Sequence, residues 1–246
     1  MSERSGFRGE RQLAIICAKS RTVYLPVPKI ASTSLKYLFW RLNNHRYPTT
    51  AFGRFLDMRL ANHHGRRKSL RLHAESGYLT VPYEHSAIPE GYESFAVVRD
   101  PVHRLKSAWK SKANAKRFRH DGSAAELEAI GLSLEPDFAT FLRSFEDYAR
   151  LSRVIRIHTL PYAHYLGDTP GNVDRLFRIE SIGELEEWFS ERAGFPITVE
   201  RQNKSPAAPR EDRLGPLELE RLRKLTQADY AFLGHLYDFD KAAGRL

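Results

Sequence analysis

Two short stretches carry side chains whose types and spacing could do chemistry. The first reads Pro28, Lys29, Ile30, Ala31, Ser32, Thr33, Ser34, a lysine followed by three consecutive hydroxyl side chains. The second reads Arg99, Asp100, Pro101, Val102, His103, Arg104, Leu105, Lys106, Ser107, opening on a guanidinium and closing on a hydroxyl. Ammonium, guanidinium and hydroxyl groups are the donors that hold a phosphate, and arginine adds a fixed fork that fits phosphate oxygens. The first stretch is not a Walker loop. It has no glycine, and its lysine stands four residues before Thr33 instead of directly before a Ser or Thr, which disfavours ATP or GTP hydrolysis.

The elements around each stretch place it at a strand end. Apolar runs at 13–18 and 22–27 read as two strands, a hairpin or a pair of neighbours, and the second is stopped by Pro26 and Pro28, which cannot continue a ladder. Leu35, Leu38, Phe39 and Leu42 then recur at helical spacing, with Ser32 or Thr33 as the cap. Phe95, Ala96, Val97 and Val98 form a buried strand that runs into Arg99, and Pro101 suits the first turn of a helix whose stripe is Val102, Leu105, Ala108 and Trp109. Both stretches therefore hand a strand over to a helix. The orphan N–H groups and dipole of a helix start favour an anion there, and strand ends are where open α/β sheets bind ligands. Two such turns suit a molecule with two separated phosphates. Asp100 reads as a cap or an orienter of Arg104, and Arg104 as an ion-paired structural residue.

Further on, 137–151 reads as a helix, RLFRI at 175–179 as a strand, 181–192 as a helix capped by Ser181, and 217–225 as a charged helix followed by a last turn at 230–236. Strands and helices alternate, so the fold class is α/β with a central, mostly parallel sheet flanked by helices. One domain is expected over 13–240, with a tail at 1–12 and another at 241–246. The stretch 43–92 reads as a basic insertion. Its residues 43–76 are rich in Arg, Lys and His and read as a solvated surface or as an approach surface for an acidic substrate.

The chain has 246 residues, 39 Lys plus Arg against 30 Asp plus Glu, and a formal charge of +9. At 41% apolar and 28% charged it is a folded chain, not a disordered or collagen-like one. The positive balance favours an anionic partner without naming it. No apolar stretch is long enough for a membrane span and the first residues lack the apolar centre of a secretory signal, so the expected location is cytoplasmic. The one cysteine, Cys17, lies in an apolar run and reads as a buried, inert thiol. No zinc-binding spacing of Cys and His is present.

The pair PKIASTSLK at 28–36 and FAVVRDPVHRLKSAW at 95–109 resembles the two nucleotide signatures of sulfotransferases that use 3′-phosphoadenosine 5′-phosphosulfate (PAPS), closest to the carbohydrate branch called family 2. FRIESIGELEEWF at 177–189, RQNKSPAAPR at 201–210 and ADYAFLGHLYDF at 228–239 follow in that family's order. The resemblance implies a P-loop-containing nucleotide-hydrolase-like sulfotransferase fold. It implies that the backbone of the first turn, at Ala31 and Ser32, with Thr33 and Ser34, holds the 5′-phosphosulfate. Lys29 would stabilise the leaving oxygen, and Arg99 and Ser107 would hold the 3′-phosphate, aided by Lys204 and Ser205. The product is adenosine 3′,5′-bisphosphate and no metal is required.

The resemblance implies a hydroxyl acceptor on a saccharide or glycoconjugate, with 43–92 as the variable acceptor-side region, and neither a specific nucleic-acid partner nor a membrane span is expected. Its proton needs a base, and His85 is the first choice, with Glu84 and His73 as alternatives. His158, in RIHTLPYAHYL, sits where relatives have a histidine near the acceptor cleft, but this segment has Tyr162 where Gln is common. Trp40, Trp109 and Trp188 fall on apolar helix faces and read as core. Two other readings stand beside the enzyme: a basic nucleic-acid or polyanion binding module using 43–76, and a nucleotide-binding scaffold without turnover.

Overall fold

The structure, a computed structural model, describes residues 13–43, 50, 79–82, 88–199 and 214–244. In chain order its first elements are β1 (Leu13–Cys17), β2 (Thr22–Tyr24), α1 (Ser32–Asn43), β3 (Leu79–Pro82), β4 (Glu93–Val98) and α2 (Pro101–Lys112). Then come α3 (Ala115–Asp121), α4 (Ala124–Ala129), α5 (Phe138–Arg143), α6 (Phe145–Leu151), α7 (Arg153–Thr159) and α8 (Tyr162–Leu166). The last are β5 (Arg175–Arg178), α9 (Ile182–Ala193), α10 (Pro216–Leu233) and α11 (Phe239–Ala243). These residues form two compact units, each discontinuous in sequence. The first draws on the described residues of 13–27, 31–98 and 171–199, the second on those of 28–30, 99–170 and 214–244.

The first unit is a five-stranded sheet in the order β3-β1-β2-β4-β5. β1 runs antiparallel to both of its neighbours, while β2 and β4, and β4 and β5, pair in parallel. Four of the five strands therefore point the same way and β1 alone is reversed, which gives the mostly parallel α/β sheet expected. β1 and β2 form a hairpin whose turn places Arg21 at φ 49°. β3 lies inside the stretch read as a basic insertion, where its four residues LTVP gave no distinct apolar pattern.

Side chains alternate across the sheet. Ala14, Ile16 and Val23 share one face, covered by Ile88 and Tyr92. On the other, Tyr24 stacks on Phe95 at 5.2 Å, Phe39 of α1 lies 5.6 Å from Tyr24, and Trp188 of α9 meets Phe95 edge-on at 5.3 Å. Leu35, Leu38, Phe39 and Leu42 are all buried, as their helical spacing predicts. Truncating Phe39 to alanine would cost about 3–5 kcal/mol. Cys17 is fully buried.

The second unit is helical, built on a core that includes Val102, Phe118, Phe141, Tyr148, Ile155 and Leu222. The helix expected over 137–151 is two helices. Asp137 caps α5 by accepting from the Thr140 N–H at 2.6 Å, and the chain breaks at Ser144 before α6 starts. α10 is longer than expected because the separate turn foreseen at 230–236 is largely its continuation to Leu233. Ser181 makes no side-chain capping bond and sits in a 3-10 turn ahead of α9. α11 reaches Ala243, inside the stretch read as a terminal tail.

Candidate functional site

β2 and β4 are parallel neighbours, so the chain leaves both at the same end of the sheet. After β2 the turn adopts left-handed backbone at two non-glycine residues, Lys29 at φ 71° and Ala31 at φ 46°. Each such residue costs on the order of 1–2 kcal/mol, and strain of this kind concentrates at functional sites. What enforces it is burial of Ile30 between them, at 1% exposure, and the bond from the Leu35 N–H to the Ala31 carbonyl that opens α1.

The ammonium of Lys29 donates to Ser111 Oγ at 2.6 Å. Burial, followed by the neighbouring charges of Lys112, Arg99 and Arg117, lowers its pKa to about 8. Every charged group that shifts Lys29 is a cation. Lys112 is itself lowered by burial and then by Arg117. Lys29 and Arg99, seventy positions apart, are thus brought within electrostatic reach of one another.

Arg99 follows directly on β4. Its N–H donates to the Tyr162 hydroxyl at 3.0 Å and its carbonyl accepts from the same hydroxyl at 2.7 Å. Asp100 caps α2, accepting from the His103 N–H at 3.1 Å, and its other oxygen accepts from the Tyr230 hydroxyl at 2.9 Å. Arg104 does not pair with Asp100. It is 3% exposed, donates to Asp229 at 3.0 Å and to the Leu160 carbonyl at 2.6 Å, and is the structural ion pair expected, with a partner on α10. Burial raises the Asp229 carboxyl even against the pull of Arg104.

Ser107 is half-buried on α2, one turn before Ser111 and therefore on the same helix face. His158 of α7 has its Nδ1 2.8 Å from the Val154 carbonyl. Burial and then Lys112 lower it to about 4, with Lys29 and Arg104 adding to the shift. Its ring is neutral at physiological pH. Nδ1 carries the proton toward the carbonyl, which leaves Nε2 as the acceptor.

In the first unit, α1 begins with Ser32 and Thr33 half-buried and Ser34 buried, and no acidic residue stands in its first turn. An acidic side chain is the usual complement of a helix start. Lys36, one turn along, has its pKa lowered by burial. His85, Glu84, His73, Lys204, Ser205, most of 43–76 and the tail 1–12 lie outside the described residues. Trp188 is buried, whereas Trp40 and Trp109 are half-buried, with Trp109 donating to the Pro136 carbonyl at 2.9 Å.

Sequence reasoning missed Ser111, Lys112, Arg117 and the part played by Tyr162. Ser111 was within reach, since it repeats Ser107 at an interval of four on one helix. The others depend on contacts distant in sequence. Among the described residues no group of three or more His, Cys, Asp or Glu side chains is arranged to hold a metal, and no helix is long and apolar enough to cross a membrane.

No curated protein and no solved structure significantly matches the chain. A family model does, the one described as Sulfotransferase family, over residues 12–240. That match spans both turns, the sheet, α10 and the helix-rich segment between them. The chain belongs to the sulfotransferase family.

Proposed function

We propose that this sulfotransferase takes the sulfuryl group from PAPS and passes it to a hydroxyl of a carbohydrate or glycoconjugate. The observation that carries the proposal is Lys29, strained into a left-handed turn and lowered in pKa by burial and by the charges of Arg99, Lys112 and Arg117. A 3′-phosphate carries about −1.5 to −2 near neutral pH and the 5′-phosphosulfate adds more, so an adenine nucleotide with two separated anionic groups fits such surroundings. PAPS supplies an activated sulfuryl group whose leaving oxygen stays with adenosine 3′,5′-bisphosphate.

The chain's own residues bind, orient and neutralise. Arg99 and Ser107 are assigned to the 3′-phosphate, with Lys204 and Ser205 as further candidates. The backbone at Ala31 and Ser32, with Thr33 and Ser34, is assigned to the 5′ group. Lys29 stabilises charge building on the leaving oxygen, the kind of fixed electrostatic help that catalyses group transfer without covalent chemistry. His85 is assigned to accept the acceptor's proton, with Glu84 and His73 as alternatives. The 101–120 stretch contains no Asp or Glu and carries Lys106, Lys110, Lys112, Lys116, Arg117 and Arg119, which favours an acceptor that is itself acidic.

The test is transfer of labelled sulfur from PAPS to a panel of neutral and acidic saccharides. The proposal requires labelled saccharide and one equivalent of adenosine 3′,5′-bisphosphate per transfer. Absence of transfer together with no thermal stabilisation by that nucleotide would overturn it. A polyanion-binding module would instead ignore the nucleotide and lose its partner steeply with salt.

A further inference from the structure

The peptide groups of Arg99 lie just past the last ladder pair of β4, Val98 opposite Arg178, so no strand partner is available to them. A buried peptide must find partners elsewhere. Both of its groups are satisfied by one side chain, the Tyr162 hydroxyl, which accepts from the Arg99 N–H at 3.0 Å and donates to the Arg99 carbonyl at 2.7 Å. Tyr162 thus closes both bonds of the Arg99 peptide from within the second unit.

The phenol is itself held on several sides. Its ring is fully buried and lies under the Arg104 guanidinium at 4.7 Å, with Phe232 of α10 stacked at 6.4 Å and 9°. Its own N–H donates to Asp229 Oδ1 at 2.7 Å, while Asp229 Oδ2 accepts from Arg104. Burial raises the phenol's pKa, so the hydroxyl keeps the proton it donates. A chain of fixed contacts runs from α10 through Asp229 and Tyr162 to the backbone from which the Arg99 side chain projects.

We propose that Tyr162 is a positioning residue for Arg99, fixing its backbone so that the guanidinium is presented ready to the 3′-phosphate of the nucleotide. The inference rests on the nucleotide reading above. Fixing the backbone in advance removes an ordering cost that the ligand would otherwise bear. Asp229, Arg104 and Phe232 hold the phenol in register and reach the nucleotide only through it.

The test compares two nucleotides that differ in the 3′-phosphate alone, adenosine 3′,5′-bisphosphate and adenosine 5′-monophosphate, by titration calorimetry. In Tyr162→Phe the affinity for the bisphosphate should fall roughly tenfold while that for the monophosphate stays within about twofold, the size expected for one lost oriented charge-assisted contact. In an Arg99→Ala background the same substitution should cost nothing further for the bisphosphate, since the two residues act in series. Equal weakening of both nucleotides, or additive losses in the double variant, would show Tyr162 to be packing only and would overturn the inference. If wild-type protein fails to prefer the bisphosphate, the nucleotide reading fails instead, and the two failures are distinct.

A second measurement needs no variant. In wild-type protein the Arg99 amide should resist hydrogen exchange as strongly as the amides of Val97 and Val98. An Arg99 amide that exchanges as an open loop would overturn the clamp directly.

Discussion

The turn after β2 and the turn after β4 differ in how far the protein satisfies its own polar groups. After β4, the Arg99 peptide is bonded at both ends by Tyr162, Asp100 accepts from His103 and Tyr230, and Arg104 is paired with Asp229. After β2, backbone strain is stored at Lys29 and Ala31, and the Lys29 ammonium has a serine and three cations around it. One turn is rigid because its accounts close within the fold. The other holds a partly buried ammonium near three further cations, and the proposed function gives the two turns positioning and reaction roles respectively.

The largest expected effect comes from breaking the rigid turn. Asp229→Ala leaves the buried Arg104 without its partner and should destabilise the protein by about 3–5 kcal/mol, measured by urea or thermal unfolding. A change below about 1 kcal/mol, the size of an exposed pair, would mean that the pair is not buried in solution. Lys29→Ala touches the other turn. Turnover should fall on the order of 10²–10³-fold, as for loss of one charge-stabilising donor, while nucleotide affinity falls much less. Arg99→Ala should reverse that pattern, weakening adenosine 3′,5′-bisphosphate by about 10–100-fold with a smaller effect on turnover at saturation. Small and equal effects of both substitutions would erase the distinction between the turns.

A smaller change sharpens the strain argument. Ala31 sits at φ 46°, so Ala31→Gly should stabilise the protein by about 0.5–1 kcal/mol, relief of the left-handed penalty exceeding the added chain entropy. A loss of stability would show that the turn is not strained. The smallest signal is in the pH profile of stability. Lys29 has a pKa of about 8 in the folded protein against 10.5 unfolded, so between those values the unfolded chain holds more protons and stability rises with pH. Lys29→Met should flatten that rise.

Much of this frame was legible in the sequence, for a physical reason. β1, β2, β4 and α1 bury continuous or periodic apolar side chains, and Pro26, Pro28 and Pro101 mark where strands stop and a helix starts, all of which are local signals. The break at Ser144 was hidden because the apolar pattern of 137–151 continues across it. β3 was hidden because four residues carry too little pattern beside so many charges. In the site, Lys29, Arg99 and Ser107 stood out by type and position. Tyr162 did not, because its role is a pair of bonds to a backbone sixty-three positions away, which no local pattern records.

The claim on which the rest depends is that Lys29 is a cation waiting for the anionic end of an adenine nucleotide. Titration calorimetry with adenosine 3′,5′-bisphosphate at pH 8, in buffers of different ionisation heat, tests it directly. Because a bound anion raises the Lys29 pKa from about 8, binding should take up roughly half a proton per site, and the uptake should vanish in Lys29→Ala. Saturable binding without proton uptake, or no binding at all, would contradict the account.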